Sequence, residues 1–386
     1  MSRARFIAAA RYRRPMYGSN HPLAIPRVSL AQDLIAAYEA LPAEEFVAAR
    51  KAGDSELQWF HTPDYVSAFK RAEALGRVAP EARARHALGT LENPYFSGFF
   101  TTPATAAGAS IQAAEMVLEG YVAFNPAGGM HHAQPDRARG FCFFNDPVLG
   151  ILRLKRAGWR VLYVDIDAHH GDGVEQAFMH DADVFTLSLH MDTAYAYPHG
   201  GGRFEDSAPQ AGYTSLNLPL PRGTTDAEYR LLWNEVFPRV LDRFRPDAVV
   251  LLGGADAIAF DPLGKLALTT QGWLSLCADV LAGAPRHADG TARLLVTGGG
   301  GYHPLVVARA WTGLWGLISG RQLPAELPSA GAAALRGSGW DLDEDAAHFA
   351  QFFASRLDAA PRPAPPRPQV VRLAQAVAGH PYLRHA

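Results

Sequence analysis

The sequence predicts one α/β domain in which a mainly parallel β-sheet is covered by helices on both faces. Short apolar runs alternate along the chain with longer amphipathic segments. The runs are continuous instead of alternating with polar residues, which is typical of strands that are buried on both faces. The predicted strands cover residues 121–125, 160–167, 183–190, 214–218, 248–254 and 293–298. The predicted helices include residues 105–119, 147–156, 227–244 and 304–318.

The individual runs support these elements in chain order. RVLYVDID (160–167) and AVVLLGG (248–254) are too apolar for a strand with one solvated face. DVFTLSLH (183–190) combines β-branched and aromatic residues, and RLLVTG (293–298) ends at a run of glycines. Segments long enough for helices separate most of these runs, as crossovers between parallel strands require.

The domain organisation follows from the end of the chain. The proline-rich stretch PRPAPPRP (361–368) predicts the end of the compact domain. We therefore expect one catalytic domain over residues 1–358, followed by a linker and a short C-terminal helix over residues 359–386. Two domains divided near residue 220 are the alternative, although strands on both sides of that point are typical of one sheet.

Composition excludes several classes of protein. Lys and Arg total 36 against 38 Asp and Glu, so the net charge of −2 predicts no general affinity for nucleic acid or anionic membranes. Cys142 and Cys277 are too few for a disulfide framework, which favours a reducing compartment. The N-terminal apolar run of five residues is too short for a signal peptide, and no run approaches the roughly 18 residues of a membrane span. A soluble, cytoplasmic protein is predicted.

Polar clusters follow four of the predicted strands. They are GGMHH (128–132), the segment from Asp165 to Asp172, Asp256, and GGGYH (299–303). Ligands of open α/β sheets bind outside the carboxyl ends of the strands. We therefore expect these clusters to converge at one edge of the sheet.

Asp167, His169 and Asp256 are the candidate metal ligands. The first two are separated by one residue at a strand end, so their side chains can leave the same side of the backbone. Two carboxylates and one imidazole with an open fourth position are typical of a catalytic zinc site. A divalent ion there would lower the pKa of water towards about 7 and polarise a carbonyl. The alternative is a turn whose aspartates cap the helix that follows.

Three further side chains are candidates for proton transfer and oxyanion binding. His131 and His132 lie in a glycine-flanked loop, and Asp165 and Asp172 offer each imidazole a carboxylate. Tyr302 follows a glycine run that lets the backbone approach the site closely. Its phenol could donate to a developing oxyanion. The glycines alone would also suit a phosphate site, but they lack the P-loop ending.

Seven segments, in order from residue 21 to residue 304, resemble the histone deacetylase family, and most closely its bacterial acetoin-utilisation branch. The most specific are NPAGGMHHAQPDRARGFCFFND and YVDIDAHHGDGV. The seven segments are residues 21–35, 60–66, 125–146, 163–174, 185–190, 254–268 and 298–304. The resemblance implies an eight-stranded parallel sheet of the arginase/deacetylase fold and the hydrolysis of an acetyl amide.

The resemblance also implies roles for single residues. Zinc, one ion per chain, would bind Asp167, His169 and Asp256. The pairs His131–Asp165 and His132–Asp172 would flank the attacking water, with His132 the better candidate for protonating the leaving amine, and Tyr302 would bind the oxyanion. The acyl-lysine tunnel would be lined by Gly140, Phe141, Tyr197 and Leu263, with Arg27 in a cavity beneath the metal. A potassium site would use backbone oxygens of Asp165, Asp167 and His169 together with Ser188 and Leu189.

Some positions depart from the family, and some alternatives stay open. Tyr197 stands where Phe is usual, and His303 stands where Asn or Ser is commoner. The substrate could be acetyl-lysine in a protein or a small acetylated amine, including an acetylpolyamine. An arginase-like ureohydrolase would need further carboxylates where Gly171 and Ile258 stand. A non-catalytic protein that binds acetylated ligands is the remaining alternative.

Overall fold

One sheet of eight strands runs through the part of the chain that the structure describes. The computed structural model describes residues 3–14, 16–206, 214–340, 343–359 and 364–384. All strand pairs in the sheet are parallel, in the order β2-β1-β3-β8-β7-β4-β5-β6. The strands are β1 (Ala4–Ala8), β2 (Phe46–Ala48), β3 (Val122–Asn125), β4 (Val161–Asp165), β5 (Val184–Met191), β6 (Ser215–Leu220), β7 (Ala248–Leu252) and β8 (Leu294–Thr297).

Helices connect the strands and cover both faces of the sheet. They are α1 (Arg27–Ala37), α2 (Asp54–Leu57), α3 (Pro63–Leu75), α4 (Pro80–His86), α5 (Thr101–Leu118), α6 (Asp146–Lys155), α7 (Asp172–Phe178), α8 (Asp226–Phe244), α9 (Thr270–Gly283), α10 (Pro304–Ile318), α11 (Ser329–Arg336), α12 (Phe349–Phe352) and α13 (Pro368–Ala378). None of the helices in these ranges is long and apolar enough to cross a membrane.

The two faces of the sheet belong to two hydrophobic cores. Leu162 and Val164 of β4 pack in the core that α1, α8, α9 and α10 complete. Val161 and Tyr163 of the same strand point to the other face, where α5, α6 and α7 cover them. Because both faces are buried, the strands have no solvated side that would require polar residues. This burial confirms the predicted fold class and the reason given for it.

All six predicted strands are confirmed, and two more were not predicted. The unpredicted β1 has five residues with Arg5 among them, and β2 has only three residues at the edge of the sheet. The predicted strand 160–167 is too long, since β4 ends at Asp165. Asp167 and His169 therefore lie in the following loop and not in extended backbone.

The last residues of four neighbouring strands form one row across the sheet. Asn125 of β3 pairs with Thr297 of β8, and Thr297 pairs with Leu252 of β7. Leu252 in turn pairs with Asp165 of β4. The loops that follow these four residues therefore leave the sheet at the same level. Asp165 also pairs with Ser188, which lies inside the longer strand β5.

The C-terminal part of the chain packs on the body. Of the predicted proline-rich linker, residues 360–363 lie outside the described residues. At the end of the proline-rich stretch the Arg367 side chain lies 2.7 Å from the Glu228 carboxylate on α8, and further along the chain the Tyr382 ring stacks on Phe185 of β5. Before this stretch, the Asp358 carboxylate accepts a hydrogen bond from the fully buried Arg309 guanidinium of α10 at 2.9 Å.

Removing the Asp358 carboxylate should destabilise the fold. Asp358→Ala leaves the charge of Arg309 buried without its counterion, so we expect the free energy of unfolding to fall by about 3 kcal/mol. Urea unfolding followed by circular dichroism measures the loss. The control is Asp33→Ala, which breaks a solvent-exposed ion pair with Arg13 and should change stability by less than about 1 kcal/mol. Equal losses in the two variants would contradict this account.

Candidate active site

The four predicted clusters converge at the carboxyl edge of the sheet. The loops after β3, β4, β7 and β8 carry them, and these strands are neighbours in the order β3-β8-β7-β4. The side chains of His132, His169 and Tyr302, from three of these loops, line one cleft with about 840 Å³ of empty space that is open to solvent. Convergence at a single site, as the strand ends predicted, is therefore observed.

Asp167, His169 and Asp256 form a buried group whose candidate ligand atoms all lie within 4.8 Å of one another. The Nδ1 atom of His169 is 2.9 Å from Asp256 Oδ2 and 3.3 Å from Asp167 Oδ1. Two carboxylates and one imidazole directed at one point are donors that suit a small divalent cation. Among the described residues this is the group of His, Cys, Asp and Glu side chains that could hold a metal ion.

Backbone hydrogen bonds hold the two carboxylates in place. Asp167 Oδ1 accepts from the His169 amide at 2.9 Å, which bends the loop so that both side chains face inward. Asp256 Oδ1 accepts from the Ala168 amide at 2.8 Å and thereby ties the β7 loop to the β4 loop. The local bend, and not the extended backbone assumed from the sequence, directs the two ligands to the same point. Helix α7 begins after Gly171 without a side-chain cap, so the aspartates do not serve the capping role.

The charges of this group strongly perturb one another. Burial by itself lowers the pKa of His169, but Asp167 and Asp256 raise it to about 10. Burial and the nearby Asp167 raise the pKa of Asp256 to about 7. Two carboxylates in a dry site disfavour each other's ionised form, and a cation placed between them relieves that repulsion.

His131 and His132 both reach the site, and each faces its own carboxylate. His131 Nδ1 is 2.9 Å from Asp165 Oδ2, and His132 Nδ1 is 2.7 Å from Asp172 Oδ1. The two Nε2 atoms lie 3.1 Å apart. The two predicted pairs are thus present as contacts.

The two imidazoles differ in their affinity for protons. Burial disfavours the charged form of His131, but Asp165 and Asp167 raise its pKa to about 9. Burial lowers the pKa of His132 to about 3, and the neighbouring charge of His131 contributes to this. These opposite shifts favour the protonated form of His131 and the neutral form of His132 at neutral pH.

Tyr302 lies at the base of the cleft, with its ring centroid 6.4 Å from that of His169. Its backbone amide donates to Asp261 Oδ2 at 2.7 Å. Within the described residues its hydroxyl has no hydrogen-bond partner, so this group can donate to a ligand. The preceding Gly300 lies so close to the metal ligands that a Cβ there would be 2.0 Å from Asp256 Oδ2, which only glycine avoids.

The predicted tunnel residues line the cleft above this base. Phe141 packs edge-on against Tyr302, and Tyr197 packs edge-on against His132, with ring centroids 6.0 and 4.8 Å apart. Gly140 has φ +56°, and a Cβ there would lie 2.5 Å from the His132 ring and 2.8 Å from the Tyr197 ring. Leu263 is partly exposed at the mouth. The structure brings all four residues to one cleft.

Three supporting residues were not predicted from the sequence. The Arg139 guanidinium lies 2.7 Å from Asp172 Oδ2, and its Nε donates to the Tyr197 hydroxyl at 3.2 Å. Asp261 Oδ2 accepts a hydrogen bond from the Tyr302 amide. Tyr163 donates its hydroxyl to Asp165 Oδ2 at 2.7 Å. The sequence offered one signal for these three residues, which is their position. Each of them lies within eight residues of a predicted site residue, inside the segments that resemble the family.

The glycine run does not form a phosphate cradle. Arg27 is buried, and its Nη1 donates to the carbonyls of Gly299 and Gly301 at 2.6 and 3.4 Å. Inward carbonyls bind a cation and would repel an anion. Arg27 also lines an apolar cavity together with Tyr12 and Met130.

Gly171 and Ile258 stand where a second metal would need carboxylates. A Cβ on Gly171 would lie 2.5 Å from Asp165 Oδ2, so no carboxylate side chain fits at that position. Ile258 is buried among apolar residues.

Two of the candidate potassium residues, Asp165 and Ser188, pair with each other in the sheet. The Ser188 Oγ atom lies 2.8 Å from His190 Nδ1.

His303, which departs from the family, points away from the cleft. Its imidazole is buried and its Nε2 lies 3.1 Å from Asp345 Oδ2. Asp345 also accepts from the Trp340 indole at 2.8 Å. His303 thus connects the start of α10, directly after Tyr302, to the C-terminal segment.

Three comparisons with known proteins show what this chain is similar to. Residues 21–318 match the family model described as the histone deacetylase domain. The chain is 38% identical over 304 residues to histone deacetylase 8 of Xenopus tropicalis, which is 78% of this chain and 80% of that protein. It is 35% identical over 330 residues to the acetoin utilization protein AcuC of Bacillus subtilis (strain 168), which is 83% and 84% of the two chains. The crystal structure of an HDAC homologue from Aquifex aeolicus superimposes with a TM-score of 0.90 at 36% identity and covers 97% of this chain and 100% of that one.

Replacing Asp256 should abolish metal binding. After chelation and reloading, we expect one divalent ion per chain in the unaltered protein, measured by elemental analysis, and a rise in Tm on adding the ion. Asp256→Ala leaves one carboxylate and one imidazole, so both effects should disappear. Asp192→Ala, which alters a carboxylate that is not part of the group, should retain them. Full occupancy in Asp256→Ala would show that the ligand assignment is wrong.

Proposed function

This chain belongs to the histone deacetylase family, and we propose that it hydrolyses the acetyl amide of acetyl-lysine or of a small acetylated amine in a zinc-dependent reaction. One observation carries the proposal. The base of a single cleft joins a histidine of the candidate metal group, a histidine of a carboxylate-supported pair and a phenol with an unpaired hydroxyl, all in the described residues. These are the groups that amide hydrolysis requires.

The donor set supports zinc at Asp167, His169 and Asp256. Zinc readily takes carboxylate oxygen and imidazole nitrogen ligands, and catalytic zinc sites keep a further position open. When bound, the ion supplies Lewis acidity, which polarises a carbonyl and lowers the pKa of water towards about 7. A potassium ion on the oxygens of Asp165, Asp167, His169, Ser188 and Leu189 is a further part of the proposal.

The histidine pair carries out the proton transfers. His132 is neutral and its Nδ1 faces Asp172, so Nε2 is the atom that accepts a proton from the attacking water. The same atom then delivers a proton to the leaving amine, which departs more readily as a neutral amine. His131, held by Asp165, contributes positive charge beside the reaction.

Tyr302 binds the oxygen of the scissile carbonyl through its hydroxyl. In the substrate this oxygen carries little charge, whereas in the tetrahedral state it approaches a full negative charge. A phenol donor therefore stabilises the transition state more than the bound substrate. Gly140, Phe141, Tyr197 and Leu263 form the slot that holds the alkyl chain of the amine.

Other functions have less support. An arginase-like reaction uses two metals, and Gly171 excludes a carboxylate at a second site. A protein that only binds acetylated ligands would not need the complete set of metal ligands, histidine pair and phenol. We further propose that residues 1–358 are the catalytic domain, with residues 359–386 as linker and C-terminal helix, and that the protein acts in the cytoplasm, in keeping with two buried free cysteines.

Turnover by the zinc-loaded protein tests the function directly. We expect release of acetate from a peptide that contains acetyl-lysine between uncharged residues, and loss of that activity in Asp256→Ala. Parallel assays with N-acetylputrescine and with longer acyl-lysines measure the amine and acyl preference. Release of urea from arginine, or tight binding of acetyl-lysine without turnover, would contradict the proposal.

Tyr302→Phe should isolate the contribution of the hydroxyl. Loss of one oxyanion donor elsewhere costs about 10²–10³ in kcat, and we expect a similar loss here. KM, zinc content and Tm should change little, because the ring stays in place. Steady-state kinetics and elemental analysis measure these quantities. Near-normal kcat in this variant would mean that the ring, and not the hydroxyl, is what the protein needs.

A further inference from the structure

The mouth of the cleft carries two neighbouring cations on one wall. Arg222 and Lys265 line the cleft, and both are exposed. Arg222 follows β6, whereas Lys265 belongs to the loop after β7 that also carries Asp256. The Gly223 amide donates to the Lys265 carbonyl at 2.7 Å, which joins the two loops and keeps both side chains on the same wall.

Within the described residues, neither cation has a carboxylate partner. Lys265 Nζ donates to the Pro262 carbonyl at 2.7 Å, and the Arg222 guanidinium lies over the Tyr195 ring, 4.7 Å from its centroid. These contacts orient the side chains but do not neutralise them. Two positive charges that lie near each other attract an anion to the space between them. The low dielectric constant of the cleft walls strengthens this attraction.

The other cations near the cleft are already paired. The Arg139 guanidinium lies beside Asp172, and Arg367 is paired with Glu228. The acidic residue in the lining is Glu92, whose Oε1 accepts from the Gly140 amide at 3.0 Å. Among the side chains that line the cleft, Arg222 and Lys265 outnumber this one carboxylate, which gives their wall an excess of positive charge.

The base and the mouth belong to the same cleft, which relates this charge to the substrate. With an acetyl group at His132, His169 and Tyr302, the alkyl chain of the amine runs between Phe141 and Tyr197. The part of the substrate beyond that chain then lies at the mouth beside Arg222 and Lys265. Their charges act on whatever group the amine carries there.

We propose that Arg222 and Lys265 select acetylated amines that carry a carboxylate just beyond the alkyl chain, and that they discriminate against polycationic amines such as acetylated polyamines. The proposal rests on the deacetylase function and names the substrate class for that site. The carboxylate can come from an acidic residue beside acetyl-lysine in a peptide, or from the α-carboxyl group of free Nε-acetyl-lysine. In either case it forms charge-assisted hydrogen bonds with the two cations.

The test compares substrates that differ in one charge. The kcat/KM of the zinc-loaded protein is measured for acetyl-lysine peptides with Asp, Asn or Lys next to the acetylated residue. Free Nε-acetyl-lysine, its α-carboxamide and N-acetylputrescine complete the set and distinguish the two sources of the carboxylate. We expect each carboxylate to be favoured over its amide by about fivefold at low ionic strength, and by less at about 300 mM salt, where screening shortens the range of the charges.

Charge-reversed variants connect the preference to these residues. Arg222→Glu, Lys265→Glu and the double variant should reduce the preference stepwise and then favour the Lys-flanked peptide and N-acetylputrescine. The matched controls Arg77→Glu and Lys51→Glu alter exposed residues that do not line this cleft and should leave the preference unchanged. A preference that is absent, or that survives the double variant, would overturn the inference.

A binding measurement separates this inference from the proposed reaction. Calorimetric titration of the metal-loaded protein with Nε-acetyl-lysine and with its α-carboxamide reports the charge preference without turnover. A preference for the carboxylate that Lys265→Glu removes would support the inference even if no acetate were released. Equal affinities together with normal turnover would leave the reaction intact and overturn the charge selection alone.

Discussion

Two carboxylates and an imidazole are buried together at the carboxyl edge of the sheet, and the rest of the site is arranged around this concentration of charge. Asp167 and Asp256 could not both stay ionised at such a distance in a dry protein without a cation or a dense set of donors. The backbone supplies part of the compensation, because the amides of Ala168, His169 and Gly300 donate to their oxygens. The ion that the donor set suits would supply the rest.

A second layer of residues holds the reactive groups without touching the metal group. The Tyr163 hydroxyl on β4 donates a hydrogen bond to Asp165, and Asp172 at the start of α7 contacts His132. Asp261 accepts a hydrogen bond from the backbone amide of Tyr302. Arg139 pairs with Asp172 and at the same time orients the Tyr197 ring over His132. Such contacts restrict the rotation of the reactive side chains, so the geometry is formed before a substrate arrives.

The base and the mouth of the cleft contain different kinds of residue. Its base contains the candidate metal group, the histidine pair and Tyr302, which would contact the scissile amide in the proposed reaction. Its mouth, where the Arg222 and Lys265 loops meet, would contact the part of the substrate that differs from one amine to another.

The sequence by itself determined the fold class and the candidate site residues. Continuous apolar runs indicated buried parallel strands, and short segments such as YVDIDAHHGDGV placed chemically distinctive residues at strand ends. It did not reveal β2, because the three residues Phe46–Ala48 are too few to show a pattern, or β1, because Arg5 interrupts its apolar run. It also placed Asp167 in a strand, whereas a hydrogen bond from the His169 amide to its carboxylate bends the chain there.

Only the tertiary structure decided which strand ends are neighbours. Asn125 and Thr297 are far apart in sequence, yet they stand side by side in the sheet, and this pairing brings Tyr302 to His132. The partners of Arg139 and the meeting of Arg222 with Lys265 follow in the same way from how separate loops fold over one edge. Local patterns in a sequence report what each segment buries, but the distances between segments arise when they pack together.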